Sequence, residues 1–434
     1  MNRGAARAVL ALLPALLLGG CEGRLGRMLR PSSARERYIE TLRGAGLGDR
    51  ALARAWIAAG RMAVDSAPLM AVPFEETGYI APERPDARGY RIAVRRGQLI
   101  EATFVLEGAN AGPLFADLYE IGDSAAPSLA ASADSGATTF SAEIGEDGEV
   151  VLRIQPELLG GGRYSVRVRL LPLLGFPVGG AGQDAIRSRF GATRDGGRRN
   201  HEGIDIFAPR GTPVIAAESG EATWVGDNEL GGRVIMVRDA RRNESHYYAH
   251  LEAQLVSEGD VVRRGDTIGM VGNTGNARTT PPHLHFGIYA RGAVDPYPYV
   301  ALADTLPEPL EVPTDRLGDW VRVGRRPAAL LIAPSGDTLR TLQAGTVMHV
   351  LAGAGRWYRV RLPDLAEGFV VADRLVPAAA LRAAPQDRPI LERPDTLAVA
   401  IIAARSHPGA MVVGEFGGYE LVQLPDRSHG WVAR

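Results

Sequence analysis

His201-Glu202-Gly203-Ile204-Asp205-Ile206-Phe207 is the stretch from which the fold of this chain is read. A histidine and an aspartate four residues apart are a borderline and a hard donor, a pair suited to zinc. On a helix that spacing would put both on one face. Gly203 and the alternation Ile204-Asp205-Ile206-Phe207 argue instead for a turn entering an extended segment. Downstream, Pro281-Pro282 introduces His283-Leu284-His285. Residues two apart in a strand point to the same face, so both imidazoles can converge on one site. A third cluster is Tyr248-Ala249-His250-Leu251, and four of the eight histidines fall in these clusters. Catalytic zinc needs three protein ligands and an open position, with further groups to move protons at a scissile amide. His201, Asp205 and one of the 283/285 pair meet the first need. The other member of the pair and His250 meet the second.

The surrounding motifs make the pattern specific. Ser188-Arg189-Phe190-Gly191 and Arg194 precede the first cluster, and Ala208-Pro209-Arg210-Gly211-Thr212-Pro213-Val214 follows it. Glycines 259, 265, 269, 272 and 275 punctuate the approach to Pro282-His283-Leu284-His285-Phe286, and Val294-Asp295-Pro296 ends the unit. In this order the stretch from Phe176 to about Pro298 resembles the lysostaphin/LytM-type zinc metallopeptidase domain. The resemblance implies a compact antiparallel β domain with ligands on adjacent strands. It implies His201, Asp205 and His285 as ligands of one Zn2+, and His250 and His283 as the catalytic pair. It implies a peptide substrate within peptidoglycan. Glu202 is expected to be solvated or to support a ligand, not to act as a base. Arg189 reads equally as structural or groove-lining. His246 fits no family position and is expected at the surface, and His349, His407 and His429 are expected to carry no chemistry.

The chain has 434 residues, enough for several domains. Arg3 and Arg7 precede an apolar run from Ala8 to Leu18 that ends in Leu18-Gly19-Gly20-Cys21. The run is too short to span a bilayer as a helix and suits an export signal. Its end resembles a bacterial lipobox, which implies cleavage after residue 20 and lipidation of Cys21. The expected protein is exported and lipid-anchored to a bacterial membrane, at its periplasmic face or in the outer membrane. Cys21 is the only cysteine, which excludes an internal disulfide and a thiolate metal site. A formal net charge of -1 gives no field that asks for nucleic acid, and none is expected as a partner.

The fold class expected is mainly β and multidomain. Residues 21–74 read as a lipidated terminus and a spacer of two short helices, with Ser32 and Asp49 as caps and Gly44 and Gly60 as stops. Alternating segments across 75–171 predict an accessory β-sandwich. The metallopeptidase unit is placed at 172–303 and a Pro-rich linker at 304–316. Trp357-Tyr358-Arg359-Val360 with Gly368-Phe369-Val370 recurs as Tyr419-Glu420-Leu421-Val422 with Gly430-Trp431-Val432. Two small units, 317–378 and 379–434, are therefore expected, each resembling a bacterial SH3-like barrel. Three functions compete. One is a zinc-dependent endopeptidase on peptidoglycan stem peptides or cross-bridges. Another is a latent or regulatory protein of the same family that binds the wall or activates another hydrolase. The third is a wall-binding lipoprotein. The five intact positions favour the first.

Overall fold

The computed structural model describes residues 32–122, 126–301 and 306–434. The expected signal and Cys21 lie outside the described residues. Nearly every ladder in the described chain is antiparallel, and strands dominate. No described helix is long and apolar enough to cross a membrane.

Two helices come first, Ala34–Gly44 and Ala51–Asp65. The first is capped one residue later than expected. Ser33 accepts from the Glu36 N–H while the Glu36 side chain accepts from Ser33, a reciprocal box that Ser32 cannot form. The second helix begins after Arg50 and runs through Gly60, which was expected to stop it. Gly60 lies where Arg35 and Gln155 press against the helix, so its missing side chain allows close packing. Trp56 is 1% exposed, and its indole N–H donates to the Pro156 carbonyl at 2.8 Å. The helices are thus packed on the body through Trp56, Tyr38 and Phe115.

Residues 74–172 form two facing sheets. Arg88–Val94, Gly148–Pro156, Leu114–Ile121 and Ser128–Ser132 make one. Phe74–Ile80, Gly162–Pro172, Gln98–Glu107 and Thr139–Glu143 belong to the other. Period-2 burial along Arg88–Val94, Gln98–Glu107 and Gly162–Pro172 delivers Ile92, Ile100, Phe104 and Val166 to one core, where they meet Leu152 and Ile154 of Gly148–Pro156, a strand buried on both faces. The second sheet continues into the first C-terminal unit, because Thr77 and Gly78 pair with Gly353 and Ala352. Asp86, Arg88, Arg361 and Glu367 form a largely buried ion network across the same junction. The two C-terminal units carry the repeated strand pair in equivalent register, Tyr358 against Val370 and Glu420 against Val432. Their ladders stay open instead of closing into barrels. Phe369 and Trp431 are core residues, and Trp357 is half-buried.

The site is carried by a ten-stranded sheet. Its central order is Gly220–Asn228, Gly232–Asp239, Glu244–Gln254, His283–Tyr289, Ile204–Phe207 and Ile186–Ser188. Ile204, Ile206, Leu284, Phe286 and Ile288 are fully buried on one face. Strand alternation therefore sends Asp205, His283 and His285 to the opposite face. The sandwich meets this unit at the start of the Glu244–Gln254 strand. There Arg96 pairs with Glu244 at 2.6 Å and Arg242 pairs with Glu143 at 2.8 Å. His250 lies six residues further along, about 20 Å away at the strand rise.

Candidate metal centre

Asp205 pairs directly with His285, and Phe207 with His283, across neighbouring strands. Ala249 pairs with His285 from the other side, which brings His250 to the same place. His201 comes from the preceding loop, latched by backbone bonds from its own N–H to Ala192 and from Gly191 to its carbonyl, both 2.8 Å.

Three donor atoms meet. His201 Nε2 lies 3.0 Å from Asp205 Oδ1 and 2.9 Å from His285 Nδ1, and His285 Nδ1 lies 3.1 Å from Asp205 Oδ1. These three residues form a group, among the described residues, that could hold a metal ion. A triangle of this size is close to what three donors about 2.0–2.2 Å from one Zn2+ must form. Two nitrogens and one carboxylate oxygen also suit zinc chemically, so the donor set fits the ion.

The remaining atoms of the ligands are held by neighbours. The second ring nitrogen of His201 donates to the Arg189 carbonyl at 2.9 Å, which fixes its tautomer. Arg194 donates to Asp205 Oδ2 at 2.6 Å and to Ser188 Oγ at 2.6 Å. Burial pushes the Asp205 carboxyl up, but bonds to His201 and His285 outweigh it and hold it well below the usual range. Burial lowers His285. Gly203 is the one glycine the site requires. A Cβ there would meet the Phe286 carbonyl at 2.5 Å and the His285 ring at 2.7 Å.

His250 and His283 flank the triangle. Their ring centroids are 5.0 Å apart, and His250 is 5.9 Å from His285. His283 Nε2 lies 3.9 Å from Asp205 Oδ1. Each anchors its Nδ1 on a backbone carbonyl, His250 on Thr274 at 3.0 Å and His283 on Pro281 at 2.9 Å. Nδ1 is then the donor, and Nε2 is left as a free acceptor in the neutral ring. His283 also stacks on Phe207 at 4.9 Å. Burial, then the charges of His283 and His285, pushes His250 down to about 4. His250 has φ +61°, rare for a non-glycine residue. It sits where the register between the Gly232–Asp239 and Glu244–Gln254 strands shifts, a bulge that re-aims the ring.

All five expected residues therefore meet on one face. Arg189 contributes its carbonyl to His201, and its guanidinium lies 3.4 Å over the Tyr297 ring. Glu202 is exposed and accepts from the Tyr289 hydroxyl at 3.4 Å. His246 corrects the sequence reading. It is fully buried, packed on Phe286, with neither ring nitrogen partnered. Its strand alternates inward at 246, so position in the pleat, not polarity, decides its burial. Sequence reasoning missed the roles of Arg194 and Gly203, although both stand in quoted motifs, and it could not see the carbonyls of Arg189, Thr274 and Pro281. A cavity of about 350 Å³ lies elsewhere, at the junction of the sandwich and the first C-terminal unit, lined by Leu69, Ile332 and Phe369 among others.

An L-Ala--D-Glu endopeptidase of Bacillus subtilis (strain 168) is 41% identical over 129 residues, 27% of this chain and 39% of that protein. An uncharacterized lipoprotein, YgeR, of Escherichia coli (strain K12) is 40% identical over 111 residues, 25% of this chain and 41% of that protein. The chain thus spans about two fifths of the length of these curated relatives. The catalytic domain of the antimicrobial peptidase lysostaphin from Staphylococcus simulans is 34% identical. That match covers 26% of this chain and 87% of the lysostaphin domain, with a TM-score of 0.24. Residues 199–296, which hold all five histidine and aspartate positions of the site, match the model of peptidase family M23.

Proposed function

We propose that this protein is a zinc-dependent endopeptidase that hydrolyses peptide bonds in peptidoglycan stem peptides or cross-bridges, held at a bacterial membrane by lipid on Cys21. The observation that carries the reading is the His201–Asp205–His285 triangle with two further imidazoles beside it on the same sheet face. The family match of residues 199–296 and the relative that cleaves L-Ala–D-Glu bonds support the substrate class. The lipoprotein among the relatives supports the anchor.

His201, Asp205 and His285 would hold Zn2+, which would supply Lewis acidity to the reaction when bound. The chain's own residues do the rest. Arg189 and Arg194 fix His201 and Asp205, so the ligand set is arranged before substrate arrives. His250 and His283 present their Nε2 atoms beside the triangle. One of the two takes the proton that the attacking water loses, and that proton passes to the departing amine beside the other imidazole. The low proton affinity of His250 keeps it an acceptor at neutral pH. The bulge and the left-handed backbone at His250 hold its ring at the triangle at a cost of about 1–3 kcal/mol.

The test is digestion of purified peptidoglycan by the protein with and without a zinc chelator, beside His285→Ala. Chelator-sensitive release of fragments, absent in the variant, is expected, and fragment masses identify the bond. Intact peptidoglycan after incubation with protein that binds zinc stoichiometrically would sink the reading and favour a latent or regulatory protein.

A further inference from the structure

Beside the metal triangle lies a second feature that the hydrolytic chemistry does not use. His285, Gly287 and Tyr289 alternate along one strand, and Tyr247 pairs with Gly287 on the next. All therefore face the same side of the sheet. The Tyr247 ring stands 5.9 Å from the His285 ring at 77°, and 6.1 Å from the Tyr289 ring at 89°. Two aromatic rings thus meet at a right angle immediately beside a metal ligand. Gly287 forms the floor of the corner, where a Cβ would meet the Tyr289 ring at 3.1 Å and the Glu202 carbonyl oxygen at 3.2 Å.

Glu202 closes the corner. It adjoins Gly203, on which the His285 ring rests, and its carboxylate accepts from the Tyr289 hydroxyl at 3.4 Å. Glu202 is exposed, whereas both tyrosines are half-buried. The Tyr247 hydroxyl is fixed from the other side by Asn228 at 3.3 Å. Burial, then Glu202, pushes the Tyr289 phenol up to about 12, and burial raises Tyr247. Both rings therefore stay neutral and keep their electron-rich faces.

Two half-buried aromatic rings in edge contact, with a carboxylate at the rim, offer electron-rich surface and negative charge to a cation. A single carboxylate, Glu202, touches these rings, which suits the compact charge of an ammonium more than a planar guanidinium. We propose that Tyr247, Tyr289 and Glu202 form a recognition corner for a primary ammonium group on the peptide substrate, carried by a diamino-acid side chain close to the scissile bond. The spacing agrees with this. The Tyr247 ring is 5.9 Å from the ligand ring, and an extended peptide advances about 3.3–3.6 Å per residue. The residue read by the corner is thus within about two positions of the bond cut. The inference rests on the endopeptidase reading for its substrate, and it adds selectivity for a free amine.

The probes are two forms of alanyl-γ-glutamyl-lysyl-alanine, one with the lysine side chain free and one with it acetylated. Binding is read by calorimetry on full-length zinc-loaded protein carrying His250→Ala, a background that keeps the metal triangle and the corner. The free amine is expected to bind at least tenfold more tightly than the acetylated form. Glu202→Gln and Tyr289→Leu should each bring the two affinities within about threefold. Glu202 is exposed, so its substitution leaves the core intact. Equal affinities in the starting background, or a preference that survives Glu202→Gln, would overturn the proposal. Because binding and not turnover is read, failure to digest peptidoglycan removes the endopeptidase reading separately from this one.

Discussion

Arg194 is the residue whose loss measures how far the metal site depends on its surroundings. It touches none of the three donor atoms of the triangle but donates to the other Asp205 oxygen, Oδ2, at 2.6 Å, and to Ser188 Oγ. The Asp205 side chain is 9% exposed and that of Arg194 is 31% exposed. The bond is thus charge-assisted and shielded on one side, a kind that contributes about 1.5–3 kcal/mol. Removing it leaves Oδ2 without its main donor and lets the carboxylate rotate out of the triangle. Loss of such an outer partner weakens metal affinity about 10- to 100-fold, or about 1.4–2.8 kcal/mol. The assay is competition for Zn2+ against a chromophoric chelator at pH 7.5, for native protein, Arg194→Ala and Arg194→Lys. The lysine variant restores a charge but not the fork that also holds Ser188, so its affinity should fall between the other two. Thermal melts at a fixed low zinc concentration should follow the same order, because bound ligand stabilises by mass action. An Arg194→Ala dissociation constant within twofold of native, or a tighter one, would refute the reasoning. It would show that strand pairing alone fixes Asp205.

The two classes of histidine should separate cleanly. His285→Ala is expected to lose both zinc and activity, whereas His250→Ala should keep one zinc per chain by metal analysis while kcat falls about 10²- to 10⁴-fold. In Gly203→Ala the added methyl meets the Phe286 carbonyl and the His285 ring, so zinc should bind at least tenfold more weakly, with about 1–3 kcal/mol of stability lost in denaturant titration; unchanged values would mean that the strand yields freely. The pH dependence of stability is set partly by histidines buried neutral. Burial lowers His246, and burial with the nearby Arg84, Arg361 and Arg88 pushes His349 down to about 3. Below pH 6.5 the unfolded chain binds these protons and the folded chain does not, so stability falls as pH drops, by up to about 1.4 kcal/mol per pH unit for each histidine. For His349 the loss continues to about pH 3, and His349→Gln should flatten the profile between pH 6 and 4 in urea unfolding; an identical slope would contradict the burial argument.

The fold was legible wherever period-2 patterns ran for several residues. Gln98–Glu107 and Tyr164–Leu170 could be placed as strands because their apolar residues alternate, and the two C-terminal repeats could be paired by eye. What escaped is what depends on partners far away in the chain. Nothing in Thr77-Gly78 announces pairing with Gly353-Ala352, because ladder bonds are made by backbone atoms common to all residues. Gly60 read as a stop because a helix interior disfavours glycine, but the neighbours Arg35 and Gln155 need the space it leaves. The same limit applies at the site. Its five candidate side chains could be named, since four are histidines, of which the chain has eight, and all five stand in motifs that resemble a known domain. Their supports are the carbonyls of Arg189, Thr274 and Pro281, which every residue possesses. The bulge that aims His250 also has no sequence mark, since the left-handed position is filled by histidine instead of glycine.

The apolar residues between the ligands carry as much of the function as the ligands do. Ile204 and Ile206 flank Asp205, and Leu284 and Phe286 flank His285; all four are fully buried. Burying such side chains contributes about 1.5–3 kcal/mol each. A slip of one residue between these strands would turn all of them to solvent and carry Asp205 and His285 into the core. The slipped pairing loses several kcal/mol of burial and also strands two polar ligands without water, so it is not populated. The pairing of Asp205 with His285 is thereby fixed by hydrophobic burial before any metal binds. His201 alone comes from a loop, and it is His201 that needs backbone latches at both its N–H and its carbonyl. The centre is therefore built in two ways: a register enforced by the core for two ligands and the second imidazole, and local hydrogen bonds for the third.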